Sequence, residues 1–172
     1  MNNFSFSNNE FSGAKVIITG ASGFIGHNMV RRLSALGAET LVIDRNQLVE
    51  ELENVTFEWA DLRHLNKEYE ADFLIHLAAV TNAGYAEKYP METYETNVLG
   101  TMNLMNHVNI SKRILFPSTA LIYQASEYPI QEQGELDQSS TYAQTKTIGE
   151  QILKFYSKRN DVDHTVVRFF NV

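Results

Sequence analysis

Cysteine is absent from the chain, which excludes disulfides and thiolate metal sites and makes the cytoplasm the expected compartment. No metal site is expected. Proline occurs only three times, and there is no Pro-rich linker, internal repeat or low-complexity tract. No run approaches the ~20 apolar residues of a membrane span. The N-terminal "MNNFSFSNNEFSG" lacks both a basic segment and an apolar one, so it does not read as a secretory signal. Residues 1–13 read instead as a polar, mobile leader to a single domain over 14–172. Positive charge is scarce as well. There are 14 Lys and Arg against 21 Asp and Glu, a net charge of −7, and no basic run. Nucleic acid is therefore not an expected partner. Any anionic ligand has to be held locally, against the overall field.

What is present is ordinary globular composition, 44% apolar and 20% charged, in a length that suits one domain with a substantial core. Apolar runs alternate with amphipathic ones. "AKVIIT", "ETLVID", "VTFEWA", "DFLIHLAA", "KRILFPS" and "HTVVRFF" read as short strands rich in Val, Ile, Leu and Phe, as buried parallel strands are. Between them "GFIGHNMVRRLSALG" places Ile25, Met29, Leu33 and Leu36 on one helical face, with Gly37 as its stop. Longer helices are expected over about 86–108 and 142–158. Such β–α alternation predicts a parallel sheet with helices on both faces.

"TGASGFIGH" puts Gly20, Gly23 and Gly26 three apart, between a strand and a helix. A glycine triplet alone is also how a tight turn is made. At a strand-to-helix junction it has a second use, because glycine lets backbone approach a pyrophosphate beside the unpaired amides of a helix N-terminus. A second strand ends at Asp44, about the distance at which a carboxylate binds the ribose hydroxyls of adenosine. A carboxylate there repels a 2′-phosphate, which favours NAD over NADP. Arg45 beside it is the residue that could take the extra phosphate. Read blandly, Asp44 is an exposed turn residue.

In "STYAQTKTIGEQ", Tyr142 and Lys146 are four apart and share a helical face. A solvated helix surface is the default reading of that pair. It stands, however, after a fifth strand ending "FPST", and ligands of open α/β sheets sit at strand C-terminal edges. Thr119 is then expected in the same crevice. Removing a proton from a sugar hydroxyl needs a base, and a free phenol with a pKa of ~10 is too protonated. A neighbouring ammonium would favour the phenolate, and the Thr119 hydroxyl would fix the same oxygen.

Several motifs share one register: "TGASGFIG", Asp44, "ADL" at 60–62, "HLAA" at 76–79, "NVLGTMNL" at 97–104, "STALIY" at 118–123, "YAQTK" at 142–146 and "RFFNV" at 168–172. In that order the chain resembles the extended short-chain dehydrogenase/reductase family, the NAD-dependent epimerase/dehydratase group that acts on nucleotide sugars. The resemblance implies an α/β fold, a Rossmann-like doubly wound parallel sheet with strand order 3-2-1-4-5-6. It implies Thr119, Tyr142 and Lys146 as the catalytic set. Gly20, Gly23, Phe24, Ile25, Gly26, Asp44 and Arg45 would bind cofactor together with Asp61 and Leu62 at the adenine. Leu77, Ala78 and Ala79 would line the groove, Asn97 would support the lysine or its water, and Asn171 would touch substrate. The helices around 86–108 and 142–158 would pair two copies into a homodimer.

The departures from the pattern narrow the activity. Gln124, Pro117 and His27 stand where Gly, Ser and a small residue are usual. Ala120 and Leu121 stand where sugar dehydratases of the family carry an acid pair, and neither can move a proton. Dehydratase is thereby disfavoured, and decarboxylase with it. Family members also run on past "RFFNV" into a substrate lobe, so the C-terminal substrate lobe is missing here. The expectation is the cofactor-binding part of an NAD-dependent nucleotide-sugar epimerase, inactive alone. A nucleotide-sugar reductase or dehydrogenase is the first alternative, and a non-catalytic dinucleotide-binding or dimerisation module the second.

Overall fold

The computed structural model describes residues 10–47 and 50–170. Six strands form one parallel sheet: β1 Lys15–Thr19, β2 Glu39–Asp44, β3 Val55–Trp59, β4 Tyr69–His76, β5 Val108–Thr119 and β6 Asp163–Phe169. Their spatial order is β3-β2-β1-β4-β5-β6. This is the Rossmann-like order expected from the sequence. The chain runs outward one way from β1 and then returns to start β4 on its other side. The switch point therefore opens a crevice at the C-terminal ends of β1 and β4.

Alternation along the central strands gives the sheet two apolar faces. Val16, Ile18 and Val42 pack with Val30 and Leu33 of helix α1, Phe24–Ala35. Ile17, Ile43 and Leu74 point the other way, into a core with Leu104, Ile114, Phe116 and Leu153. Leu104 comes from α4, Gly100–His107, and Leu153 from α5, Thr141–Asn160. Each such fully buried aliphatic side chain contributes roughly 1.5–3 kcal/mol of burial.

Three expectations need correction. The helix expected over 86–108 is broken. Before α4 come two short helices, α2 Ala83–Lys88 and α3 Pro90–Tyr94, and then one π-helical turn, Glu95–Leu99. Tyr89 leaves the helical region at φ −128°, ψ 63°, because the ring of Pro90 disfavours α conformation in the residue before it. Pro90 then starts α3, where its missing N–H is harmless. β4 and β5 each begin earlier than their apolar runs, at Tyr69 and Val108, and α4 passes into β5 with no loop between them. The strand expected to include "HLAA" stops at His76, leaving Leu77–Ala79 beyond the sheet edge. Of the leader, residues 1–9 lie outside the described residues. The stretch that follows is tied down: Gly13 donates to the Gly37 carbonyl at 2.8 Å, and the Phe11 ring lies 5.3 Å from that of Phe73.

Candidate active site

A cleft of about 1350 Å³ opens at the C-terminal edge of the sheet. That exceeds the roughly 300–1,000 Å³ of pockets for drug-sized ligands. Its wall includes Gly20, Gly23–Gly26, Asp44, Arg45, Asp61, Leu62, Leu77–Ala79, Thr119, Tyr142 and Lys146. Every site residue expected from the sequence is there except two. Asn97 is buried behind the wall, and Asn171 lies outside the described residues.

At one end is the glycine loop. Gly20 has φ +74°, and a Cβ on it would sit 2.5 Å from the Ala78 amide nitrogen. Glycine is required there by both conformation and space. A Cβ on Gly26 would collide with the Gly20 carbonyl oxygen and come within 2.6 Å of Ala21 Cα. Gly26 thus lets α1 start tight against the loop. Gly23 is the N-cap of α1 and has only the Gly20 carbonyl oxygen near its Cβ position, at 3.4 Å. No side chain caps this helix, and no acidic residue stands in its first turn. Its leading amides and positive dipole end are free for an anion.

Asp44 ends β2 and is buried. Its carboxylate accepts from the Ser22 amide at 2.9 Å and from the Asn46 amide at 2.9 Å, one on each oxygen. Each oxygen keeps a lone pair for a further donor. Asp61 is more heavily used. Arg63 Nε and Nη2 fork onto it, with Nη2 at 2.6 Å from Oδ2, and the Arg63 amide adds a bond of 2.9 Å. Arg45 Nη1 stands 3.8 Å away. The Arg63 hydrogen bonds hold the Asp61 carboxyl down at about 2, against the opposing effect of partial burial. Its side chain is spoken for by two guanidinium groups before any ligand arrives.

At the other end Thr119, the last residue of β5, faces Tyr142 in the first turn of α5. Thr119 Oγ1 accepts the Leu121 amide at 3.2 Å. Burial pushes the Tyr142 phenol above its ordinary value, and a hydrogen bond with Thr119 pulls the other way. Lys146, one turn on, has its ammonium 4.2 Å from the centroid of the Phe116 ring. Burial brings it down to about 8, with Glu150 opposing. The sequence argument has Lys146 acidifying the tyrosine; in this structure Lys146 is not among the influences on the phenol, and burial keeps it protonated with only the Thr119 hydrogen bond opposing.

Asn97 sits in the π turn, its side chain fully committed. Oδ1 accepts the Val80 amide at 2.7 Å, while Nδ2 donates to the Val80 carbonyl and to Thr145 Oγ1, both at 3.0 Å. It reaches Lys146 only through α5. Two wall residues have no role in the sequence reading: the Thr96 and Ser118 hydroxyls are buried without a partner. The uncapped helix amides in this cleft fit a ligand that carries anionic oxygens. Alternation on β5 could have placed Ser118, but not the absence of a partner.

An open, doubly wound sheet with such a cleft at its switch point defines a dinucleotide-binding type of architecture. Comparison with known proteins agrees. A model of the NAD dependent epimerase/dehydratase family matches residues 16–172, and the chain belongs to that family. It is 30% identical over 167 residues to the UDP-glucose 4-epimerase of Halalkalibacterium halodurans, covering 91% of this chain and 50% of that protein. It is 29% identical to UDP-glucuronic acid decarboxylase 1 of Arabidopsis thaliana, covering 91% and 39%. Among solved structures, MoeE5 in complex with UDP-glucuronic acid and NAD superposes with a TM-score of 0.83 at 26% identity, covering 91% of this chain and 55% of that one. The chain spans about half the length of the curated epimerases it matches.

Proposed function

We propose that the chain is the cofactor-holding half of an NAD-dependent nucleotide-sugar epimerase. The observation that carries the reading is convergence: Thr119, Tyr142 and Lys146 meet at one end of a cleft whose other end is an uncapped helix N-terminus. The α1 amides take the pyrophosphate, and the spare lone pairs of Asp44 take the adenosine ribose hydroxyls, which disfavours NADP. When bound, NAD supplies a reversible hydride acceptor and a positive charge near the phenol. That positive charge, added to the Lys146 ammonium, would favour the Tyr142 phenolate, which would accept the proton of the sugar hydroxyl while Thr119 hydrogen-bonds the same oxygen and holds it in place.

Ala120 and Leu121 favour epimerase over dehydratase or decarboxylase, because neither side chain can carry the second proton transfer those reactions need. Exposed apolar side chains on α3, α4 and α5 (Met91, Met102 and Phe155) support pairing of two copies through these helices, in a cytoplasmic enzyme.

In the complete protein, Tyr142→Phe is expected to lower kcat by about 10²–10⁴, the usual worth of a general base, while NAD affinity measured calorimetrically stays within about threefold. Unaltered turnover would defeat the assignment. The 172-residue chain by itself is expected to bind NAD without epimerising UDP-sugars.

A further inference from the structure

We propose that His76 is a positioning residue for this site: locked in its Nε2–H form, it ties the glycine-loop strand to the π turn and, through Asn97, to the first turn of α5. The inference rests on the reading of the cleft as an NAD site. His76 ends β4 and is 1% exposed. Its Nδ1 lies 2.7 Å from Thr19 Oγ1 and its Nε2 lies 2.8 Å from Thr101 Oγ1.

The neighbours decide where the protons are. Thr101 Oγ1 lies 2.7 Å from the Asn97 carbonyl oxygen, which can only accept. The Thr101 proton goes there, so Thr101 must accept from His76 Nε2–H. His76 Nδ1 then offers a lone pair and accepts from Thr19, whose oxygen receives the Ala78 amide at 3.2 Å. The chain of donors is directed at every step: Ala78 to Thr19 to His76, and His76 to Thr101 to the Asn97 carbonyl. In the other tautomer the single Thr101 proton faces two acceptors, His76 Nε2 and the Asn97 carbonyl, and the Thr19 proton, opposite an Nδ1–H, loses its acceptor. Burial and the nearby Lys146 charge hold the imidazole down at about 3, so it stays neutral.

From Asn97 the network continues through Thr145, which donates to the Tyr142 carbonyl at 2.9 Å. A second route is by packing. The His76 ring lies 5.7 Å from the Phe116 ring, whose face carries the Lys146 ammonium. His76 therefore stands behind both Tyr142 and Lys146 and touches neither. A leucine would fill the same volume in the core. What it could not do is fix the turn and the helix at a set distance from the glycine loop, as a fully satisfied buried network does.

Two measurements on the 172-residue chain test this. A long-range ¹H–¹⁵N spectrum with labelled histidine should show His76 as the Nε2–H tautomer from pH 5.5 to 8. The Nδ1–H pattern, or titration near 6.5, would overturn the inference. Calorimetry with NAD and with ADP-ribose, which lacks the nicotinamide, reads the positioning. His76→Phe and the isosteric Thr101→Val should each weaken NAD binding about tenfold with ADP-ribose within about twofold, and His76→Gln, which keeps a donor and an acceptor, should recover most of the loss. Thr101→Val carries the test if His76→Phe does not fold. Unchanged preference for NAD over ADP-ribose in both variants overturns the positioning role alone. A wild-type chain that binds the two equally would remove the site reading and the positioning role with it, while the tautomer would still be read independently.

Discussion

Asp44 and Asp61 look alike in the sequence, each an acid at a strand end, yet their surroundings give them different work. Asp44 spends one lone pair per oxygen on backbone amides and keeps the rest for a ligand. Asp61 is saturated by Arg63 and flanked by Arg45, so its main effect is to occupy those guanidinium groups. His76 carries a consequence for pH. Its folded pKa, about 3, lies below the unfolded value of 6.5. Between these values the unfolded chain binds the extra proton, so stability rises with pH across that window and is lost as pH falls through it. The slope for one proton approaches about 1.4 kcal/mol per pH unit. Thermal unfolding between pH 4.5 and 6.5 should show a shallower decline in His76→Gln than in the wild type; equal slopes would mean that His76 is protonated in the fold. At this scale the sequence revealed which residues reach the cleft, since glycine spacing and strand ends are local signals. It did not reveal that Asn97, Thr145 and His76 share one network, because the links from His76 to Thr101, Asn97 to Thr145 and Thr19 to His76 span 25, 48 and 57 residues and no local pattern marks them.

Among the elements, the strands and their parallel sheet were legible from apolar runs and β–α alternation, the strand order from the family resemblance, and α1 and α5 from periodicity. The break between α2 and α3 could have been read from Tyr89–Pro90, a pair that ends helices. The π turn has no such signature; it carries Asn97, whose side chain bonds Val80 and Thr145. Gly26 and Gly149 sit inside α1 and α5, where alanine ordinarily stabilises by up to about 1 kcal/mol. Here the sign reverses. Gly26→Ala drives a Cβ into the backbone of the loop, and Gly149→Ala brings one to 2.5 Å from Phe116 Cζ, the ring under Lys146. Each should cost about 1–3 kcal/mol, seen as a fall in Tm of roughly 3–10 °C. Gly26→Ala should also abolish NAD binding. An unchanged Tm in either variant would show that the loop or the ring yields more easily than its packing implies.

For the molecule as a whole, the sheet brings an uncapped helix N-terminus, a partly satisfied carboxylate and a buried phenol to one edge, in a chain of net charge −7. Anion binding must then come from oriented amides rather than from a general positive field, and it should depend only weakly on salt. The exposed Phe155 on α5 makes a testable surface: Phe155→Glu should shift sedimentation toward monomer if two copies pair there, and an unchanged dimer would place the interface elsewhere.

The most direct measurement is an equilibrium titration of the chain with NAD and with NADP. The account predicts saturable one-to-one binding of NAD and affinity for NADP weaker by about tenfold or more, from the Asp44 carboxylate against a 2′-phosphate. No binding of NAD, or equal binding of the two, would contradict it.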